Sequence, residues 1–149
     1  MLLPLDINGP RRHLNMKTSF FIIALVLLSS KLGAQENTQY SATIELNTVH
    51  QEEAVCRLSF TVQARKAVDK LILETVLFDA RGAVKMLTLF DFNGLPAQKM
   101  RVRQFDIPET KCENIGRVLF NGIDRCEGPA CDDFMPNFGS RLSTLEVLG

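Results

Sequence analysis

Four cysteines, a histidine between two apolar segments, two pairs of adjacent carboxylates and one alternating row of cations are the features of this chain whose type and spacing could carry chemistry. The cysteines are Cys56, Cys112, Cys126 and Cys131. The nearest two are separated by four residues, whereas structural zinc sites use tight C-x2-C-type pairs and redox-active pairs use C-x-x-C. An even number of cysteines in a small chain reads instead as two disulfides, a framework that persists in oxidising compartments. His50 stands among Thr48, Val49, Gln51 and Glu52, in a stretch read as a loop between two strands, and no G-x-S-x-G elbow accompanies it. Glu52-Glu53 and Asp132-Asp133 are carboxylate pairs, but no D-x-D-x-D-G loop frames them, so the expectation is solvated side chains rather than a calcium site or a general acid. No glycine-rich phosphate loop follows a strand. The sequence therefore offers no catalytic residue, no cofactor-binding residue and no metal ligand.

The cationic row is Lys99, Arg101 and Arg103, alternate positions of one expected strand. Side chains two residues apart share a face about 7 Å apart, so the row is read as a candidate docking face for an acidic partner, or simply as a solvated face that guards an edge. In this reading Met100 and Val102 provide the buried side.

The elements that would position these groups are strands. Residues 54–64 alternate Cys56, Leu58, Phe60, Val62 and Ala64 against Arg57, Ser59, Thr61 and Gln63, a half-buried strand. Residues 40–47 alternate Ala42, Ile44 and Leu46 against Thr43 and Glu45. Residues 70–78 are apolar on both faces and end at Asp79-Ala-Arg-Gly82, whose first and last residues suit a turn. Further strands are expected at 84–92, 99–107, 115–120 and 142–148, with turns at Asn93-Gly94 and Asn121-Gly122 and a loop over 128–139. About seven such strands predict an all-β chain, an antiparallel β-sandwich. Alternating strand directions place Cys56 and Cys112 at one end of the sandwich and Cys126 and Cys131 at the other, which predicts the pairs Cys56–Cys112 and Cys126–Cys131.

Met16–Ala34 has the form of an export signal. Lys17 gives a positive start, Phe20–Leu28 an apolar run too short to span a bilayer, and Gly33-Ala34 small residues before a cut. Residues 1–15, with Pro4, Asp6, Gly9 and Pro10, read as a mis-annotated upstream extension, with translation starting at Met16. Arg11-Arg12 is a weak twin-arginine match, and the strongly apolar run suits the general secretion route better. No cysteine follows the cut directly, which argues against a lipoprotein. Residues 35–149 then form a single domain with no stable membrane insertion.

Charge narrows the partners. The whole chain has 17 basic and 17 acidic side chains. The leader and extension contain four of the bases (Arg11, Arg12, Lys17, Lys31) and one acid (Asp6), leaving 13 against 16, a net of −3. This mild acidity disfavours nucleic acid and anionic lipid as partners. With 46% apolar residues the chain can fill a core, which excludes a charged disordered tail.

Cys56-Arg-Leu-Ser-Phe60, Glu74-Thr-Val-Leu-Phe-Asp79 with Gly82, Leu87-Thr-Leu-Phe-Asp-Phe92, Leu95-Pro-Ala97, Arg101-Val-Arg-Gln-Phe-Asp-Ile-Pro108, Cys112 and Gly116-Arg-Val-Leu-Phe-Asn-Gly122 resemble small exported bacterial proteins of unassigned function. Leu77-Phe-Asp-x-x-Gly82 also resembles a hairpin of periplasmic immunoglobulin-like domains. The resemblance implies a Gram-negative periplasm and an immunoglobulin-like sandwich, and it brings no catalytic residues. The expected function is that of a non-catalytic periplasmic binding or accessory module acting on another envelope protein. The alternatives are an enzyme with an unrecognised site and a structural envelope protein.

Overall fold

Strand alternation governs the architecture from the first described residues onward. The computed structural model describes residues 39–149, so the extension over 1–15, the leader over 16–34 and the cut after Ala34 lie outside the described residues. β1 (Ala42–Glu52) and β2 (Val55–Ala64) form a hairpin. β3 (Lys70–Asp79) and β4 (Val84–Asp91) form another, followed by β5 (Arg101–Ile107), a short 3₁₀ turn at Cys112–Asn114, β6 (Ile115–Glu127), β7 (Pro136–Ser140) and β8 (Glu146–Leu148).

The strands make two four-stranded sheets, ordered β5-β2-β1-β7 and β4-β3-β6-β8. The expected antiparallel arrangement of about seven strands is therefore corrected to eight strands in two mixed sheets. β7 pairs in parallel with β1, and β8 in parallel with β6. Both parallel partners come from the C-terminal segment, where the loop expected over 128–139 contains β7.

The inner faces meet over a core whose hub is Phe60. Its ring lies edge-on to Phe90, Phe92, Phe105 and Phe120 at centroid distances of 5.8–6.1 Å. Phe60 and Phe105 belong to the first sheet, Phe90 and Phe120 to the second, and Phe92 follows β4. The aromatic cluster thus ties the sheets together, each well-oriented pair adding about 0.5–1.5 kcal/mol beyond burial. Cys56, Leu58, Phe60, Val62 and Ala64 are all buried, as their alternation requires.

The turn after β3 is built by Asp79. Its carbonyl accepts from the Gly82 N–H at 3.0 Å, and its Oδ1 accepts from the N–H groups of Arg81 and Ala83, each at 2.9 Å. Gly82 has φ 84°, a conformation that costs other residues strain.

Three local expectations are corrected. β1 continues past Asn47 to Glu52, because Asn47 is an extra residue in the β1–β2 ladder. That bulge inverts the alternation, so Val49 faces inward opposite Leu58, and His50 lies within a strand rather than in a loop. Asn121-Gly122 does not turn the chain. Asn121 is bulged out of the long β3–β6 ladder, and the strand runs on to Glu127. Pairing along the ten residues of β3 overrides the local turn preference.

The third correction concerns β5. Met100 and Val102, expected inside, are exposed at 61% and 58%. The phase is set by Phe105 and Ile107, which pair with Leu58 and Cys56 on the inner face of β2. Arg103 and Arg101 share that parity and stand opposite Phe60 and Val62.

Candidate functional site

The features singled out in the sequence are scattered over the sandwich. His50 is exposed on β1 and pairs in register with Arg57. Asp132 and Asp133 lie near the other end of β1, where the Asp133 carbonyl accepts from the Ser41 hydroxyl at 2.9 Å. Nine residues of strand rise put His50 roughly 30 Å from Ser41, so the histidine and this carboxylate pair share no site. Asp132 and Asp133, with Arg65, Lys66, Tyr40 and Ser41, line an open groove of about 460 Å³. Its acids and bases are mixed, and Asp132 and Asp133 are exposed. Among the described residues no three His, Cys, Asp or Glu side chains gather as a metal cage.

The cysteines form two disulfides, Cys56–Cys112 and Cys126–Cys131, with Cα atoms 5.0 and 5.6 Å apart. These are the pairs predicted from strand directions. The first anchors the segment after β5 to the start of β2. Gln51, turned inward by the bulge at Asn47, completes that anchor. Its Oε1 accepts from the Cys112 N–H at 2.7 Å, and its Nε2 donates to the carbonyls of Glu53 and Val55 at 2.8 and 3.2 Å. Nothing in the sequence flagged Gln51, because its role depends on the phase shift.

The cationic row is not one exposed face. Lys99 precedes β5 and is exposed, whereas Arg101 and Arg103 sit at the inner side of an edge strand, half-buried. The Arg103 Nε donates to the Phe92 carbonyl at 2.6 Å and its Nη2 to the Gly94 carbonyl at 2.9 Å. Arg103 thus fastens the edge of one sheet to the chain leaving the other. The parity shared by Arg101, Arg103, Phe105 and Ile107 was the available signal.

The outer faces of the two sheets differ in chemistry. On the first sheet Arg57 bridges Glu52 at 2.6 Å and Asp106 at 2.7 Å, an ionic chain across β1, β2 and β5. The hydrogen bond from Arg57 holds the Asp106 carboxyl below the usual carboxylate range. Around this chain lie Thr43, Ser59, Thr61 and Gln104.

On the second sheet the register lines up Leu87 of β4, Val76 of β3, Leu119 of β6 and Leu148 of β8. This ladder runs along the outer side of all four strands, with its two ends open to solvent while Val76 at its centre is only 7% exposed and Leu119 is half-buried. Leu87 is 72% exposed and Leu148 39%. Leu89 and Val84 extend it along β4, and Phe78, with the Arg117 guanidinium 6.0 Å from its ring centre, lies beside it. The four ladder residues come from separate segments, and only the pairing register shows that they align. Such apolar rows on a solvent face are the usual mark of a contact surface.

The chain matches no protein-family model, no curated protein and no solved structure.

Proposed function

We propose that this protein is an exported, non-catalytic binding or accessory module of the bacterial periplasm, one that docks another envelope protein on the outer face of its second sheet. The observation that carries the reading is the apolar row Leu87–Val76–Leu119–Leu148 on the outer side of the second sheet, open to solvent at Leu87 and Leu148 and continued by the exposed Leu89 and Val84. Two disulfides support an oxidising compartment. Among the described residues no helix is long and apolar enough to cross a membrane.

The proposal includes an immunoglobulin-like sandwich. The pairing β1-β2-β5 against β4-β3-β6 follows the A-B-E and C′-C-F order of such domains, which supports the assignment. The parallel placement of β7 and β8 is the departure from that pattern.

The test is site-specific photo-crosslinking in cells, with the probe at Leu87 or Leu148 and control probes at Thr61 and Gln104 on the first sheet. The reading expects one discrete adduct with an envelope protein from both test positions and from neither control. Adducts of equal strength from all four positions, or none from Leu87 and Leu148, overturn it. An adduct from Leu148 containing only a second copy of this chain also counts against it.

A further inference from the structure

We propose that β4 pairs edge to edge with β4 of a second copy, antiparallel about a two-fold axis at Thr88, joining the second sheets of two protomers into one. The inference goes beyond the docking face, because it rests on the free backbone edge and on the self-complementarity of one strand.

The two sheets have four edge strands, and three are blunted. β7 begins with Pro136 and has five residues; β8 has three. β5 turns Arg101 and Arg103 toward the sandwich interior and carries Asp106, bound to Arg57, on its other face. Short strands, proline and inward charges are the usual guards against edge pairing. β4 has none of these three, and its one irregularity, the register shift at Lys85, lies at its start and leaves Met86–Asp91 regular. It runs eight residues, Val84–Asp91, with Leu87-Thr88-Leu89 at its centre, and β3 is its only strand partner among the described residues.

The hydrogen-bonding phase of that edge follows from one contact. The Phe92 N–H donates to the Leu71 carbonyl at 2.9 Å. In an antiparallel ladder the residues alternate in the direction of their backbone groups, so the even-numbered residues from 86 to 92 bond toward β3. Leu87, Leu89 and Asp91 therefore turn their N–H and C=O groups to the free side.

Two copies placed antiparallel about Thr88 bring Leu87 opposite Leu89 of the second copy, and bring Lys85, the extra residue where the β3–β4 register shifts, beside Asp91 of the second copy. Each apolar residue meets an apolar residue and each charge meets its opposite, twice over by symmetry. Lys85 is exposed, and Asp91, although bonded to Lys70 at 2.6 Å, keeps enough exposure to accept a second cation. A shift of two residues in either direction breaks the ionic match. Opposite charges directly across a strand pair are favourable and like charges unfavourable, so the register is specified by the sequence itself. The joined sheet would carry the apolar ladder of each protomer on one continuous face. A contact limited to one strand falls at the small end of specific interfaces, so the dimer is expected to be reversible and concentration-dependent.

The experiment is sedimentation velocity of the purified protein over a wide concentration range. The wild type should pass from monomer to dimer. Leu89→Pro removes an N–H from the free edge and none from the β3 ladder, and should weaken the dimer at least tenfold. Lys85→Glu alone and Asp91→Lys alone should each weaken it, since each sets like charges opposite one another. Mixed together, these two variants should form a heterodimer, because both ionic contacts are then restored with reversed sign. Val102→Lys, on the edge strand of the other sheet, should change nothing. Circular dichroism and thiol titration confirm that each variant is folded and oxidised; if Leu89→Pro fails them, the charge-swap mixture decides. A monomer at every concentration, or a dimer indifferent to the charge swaps, overturns the proposal. Crosslinking from Leu148, at the far edge of the same sheet, reads the envelope-protein docking separately.

Discussion

Replacing Arg103 by Ser separates a structural cation from a docking one. Arg103 makes two charge-assisted bonds to main-chain carbonyls across the sandwich, those of Phe92 and Gly94, besides an exposed one to the carbonyl of its neighbour Val102. A sheltered bond of this kind is worth about 1.5–3 kcal/mol. The side chain is half-buried, and water can replace part of what is lost at the two carbonyls. The expected cost is therefore about 2 kcal/mol in total rather than twice the single-bond figure. For a domain of this size that is a fall in Tm of about 8 °C. Lys99→Ser touches an exposed side chain and should stay within about 0.5 kcal/mol. The assay is urea unfolding of the oxidised protein followed by circular dichroism, with Lys99→Ser, Arg101→Ser and Arg103→Ser compared at equal m-value. Met100→Asp is the internal check on the facing of β5, and it should be nearly silent, since Met100 is 61% exposed. If Arg103→Ser costs no more than Lys99→Ser, or if Met100→Asp unfolds the protein, the structural reading of this strand is wrong.

The double variant Cys56→Ser/Cys112→Ser opens a loop of sequence separation 56 and should lose about 4 kcal/mol in the chain-entropy picture, against about 2 for Cys126→Ser/Cys131→Ser; equal losses in urea melts would contradict that ordering. Asp79, Asp91 and Asp106 have lowered pKa values, held down chiefly by the Ala83 N–H, Lys70 and Arg57 respectively. Carboxyls lowered on folding stabilise the native state above the ordinary carboxylate range and lose that contribution as pH falls through their folded values. Thermal melts should accordingly drop as pH falls below about 4, and Asp106→Asn should flatten part of that drop; a melt indifferent to acid counts against these ion pairs. Intact-mass analysis of protein recovered from the periplasm should find a chain starting near Gln35, and a product that keeps Met16 would refute the proposed cut.

Local pattern carried the central strands and failed where register or distant pairing decides. β2 was legible because five apolar residues alternate without interruption, and the turn at Asp79–Gly82 because aspartate and glycine fill defined roles there. The far half of β1 was hidden by one inserted residue, Asn47, which reverses the inward parity and so concealed both the strand position of His50 and the anchoring role of Gln51. Asn121-Gly122 has turn chemistry, but the ladder with β3 absorbs it as a bulge. β7 and β8 pair with strands about ninety and thirty residues away in sequence, and no short-range periodicity reports a parallel partner. On β5 the period was legible and the phase was not, because two arginines stand where alternation alone would place solvent-facing residues. The disulfide pairing needed only strand direction. The apolar ladder needed register, since Val76, Leu119 and Leu148 meet only after the sheet has formed.

The placement of β7 and β8 has a consequence for the order of events as the chain is made. Each is the last strand of its sheet, and each covers the flank of a long strand, β1 in one sheet and β6 in the other. A chain that emerges amino end first presents β1 before β7 exists to flank it. Its emerging half therefore carries the open flank of β1 until β7 arrives, and the flank of β6 stays open from its own emergence until β8 follows. For a nascent chain this is the interval of greatest exposure to misassociation, and a holding chaperone would act there. A product cut after Glu127 would keep both flanks open permanently. Such a fragment should be degraded or should aggregate even though the whole aromatic hub around Phe60 remains within it.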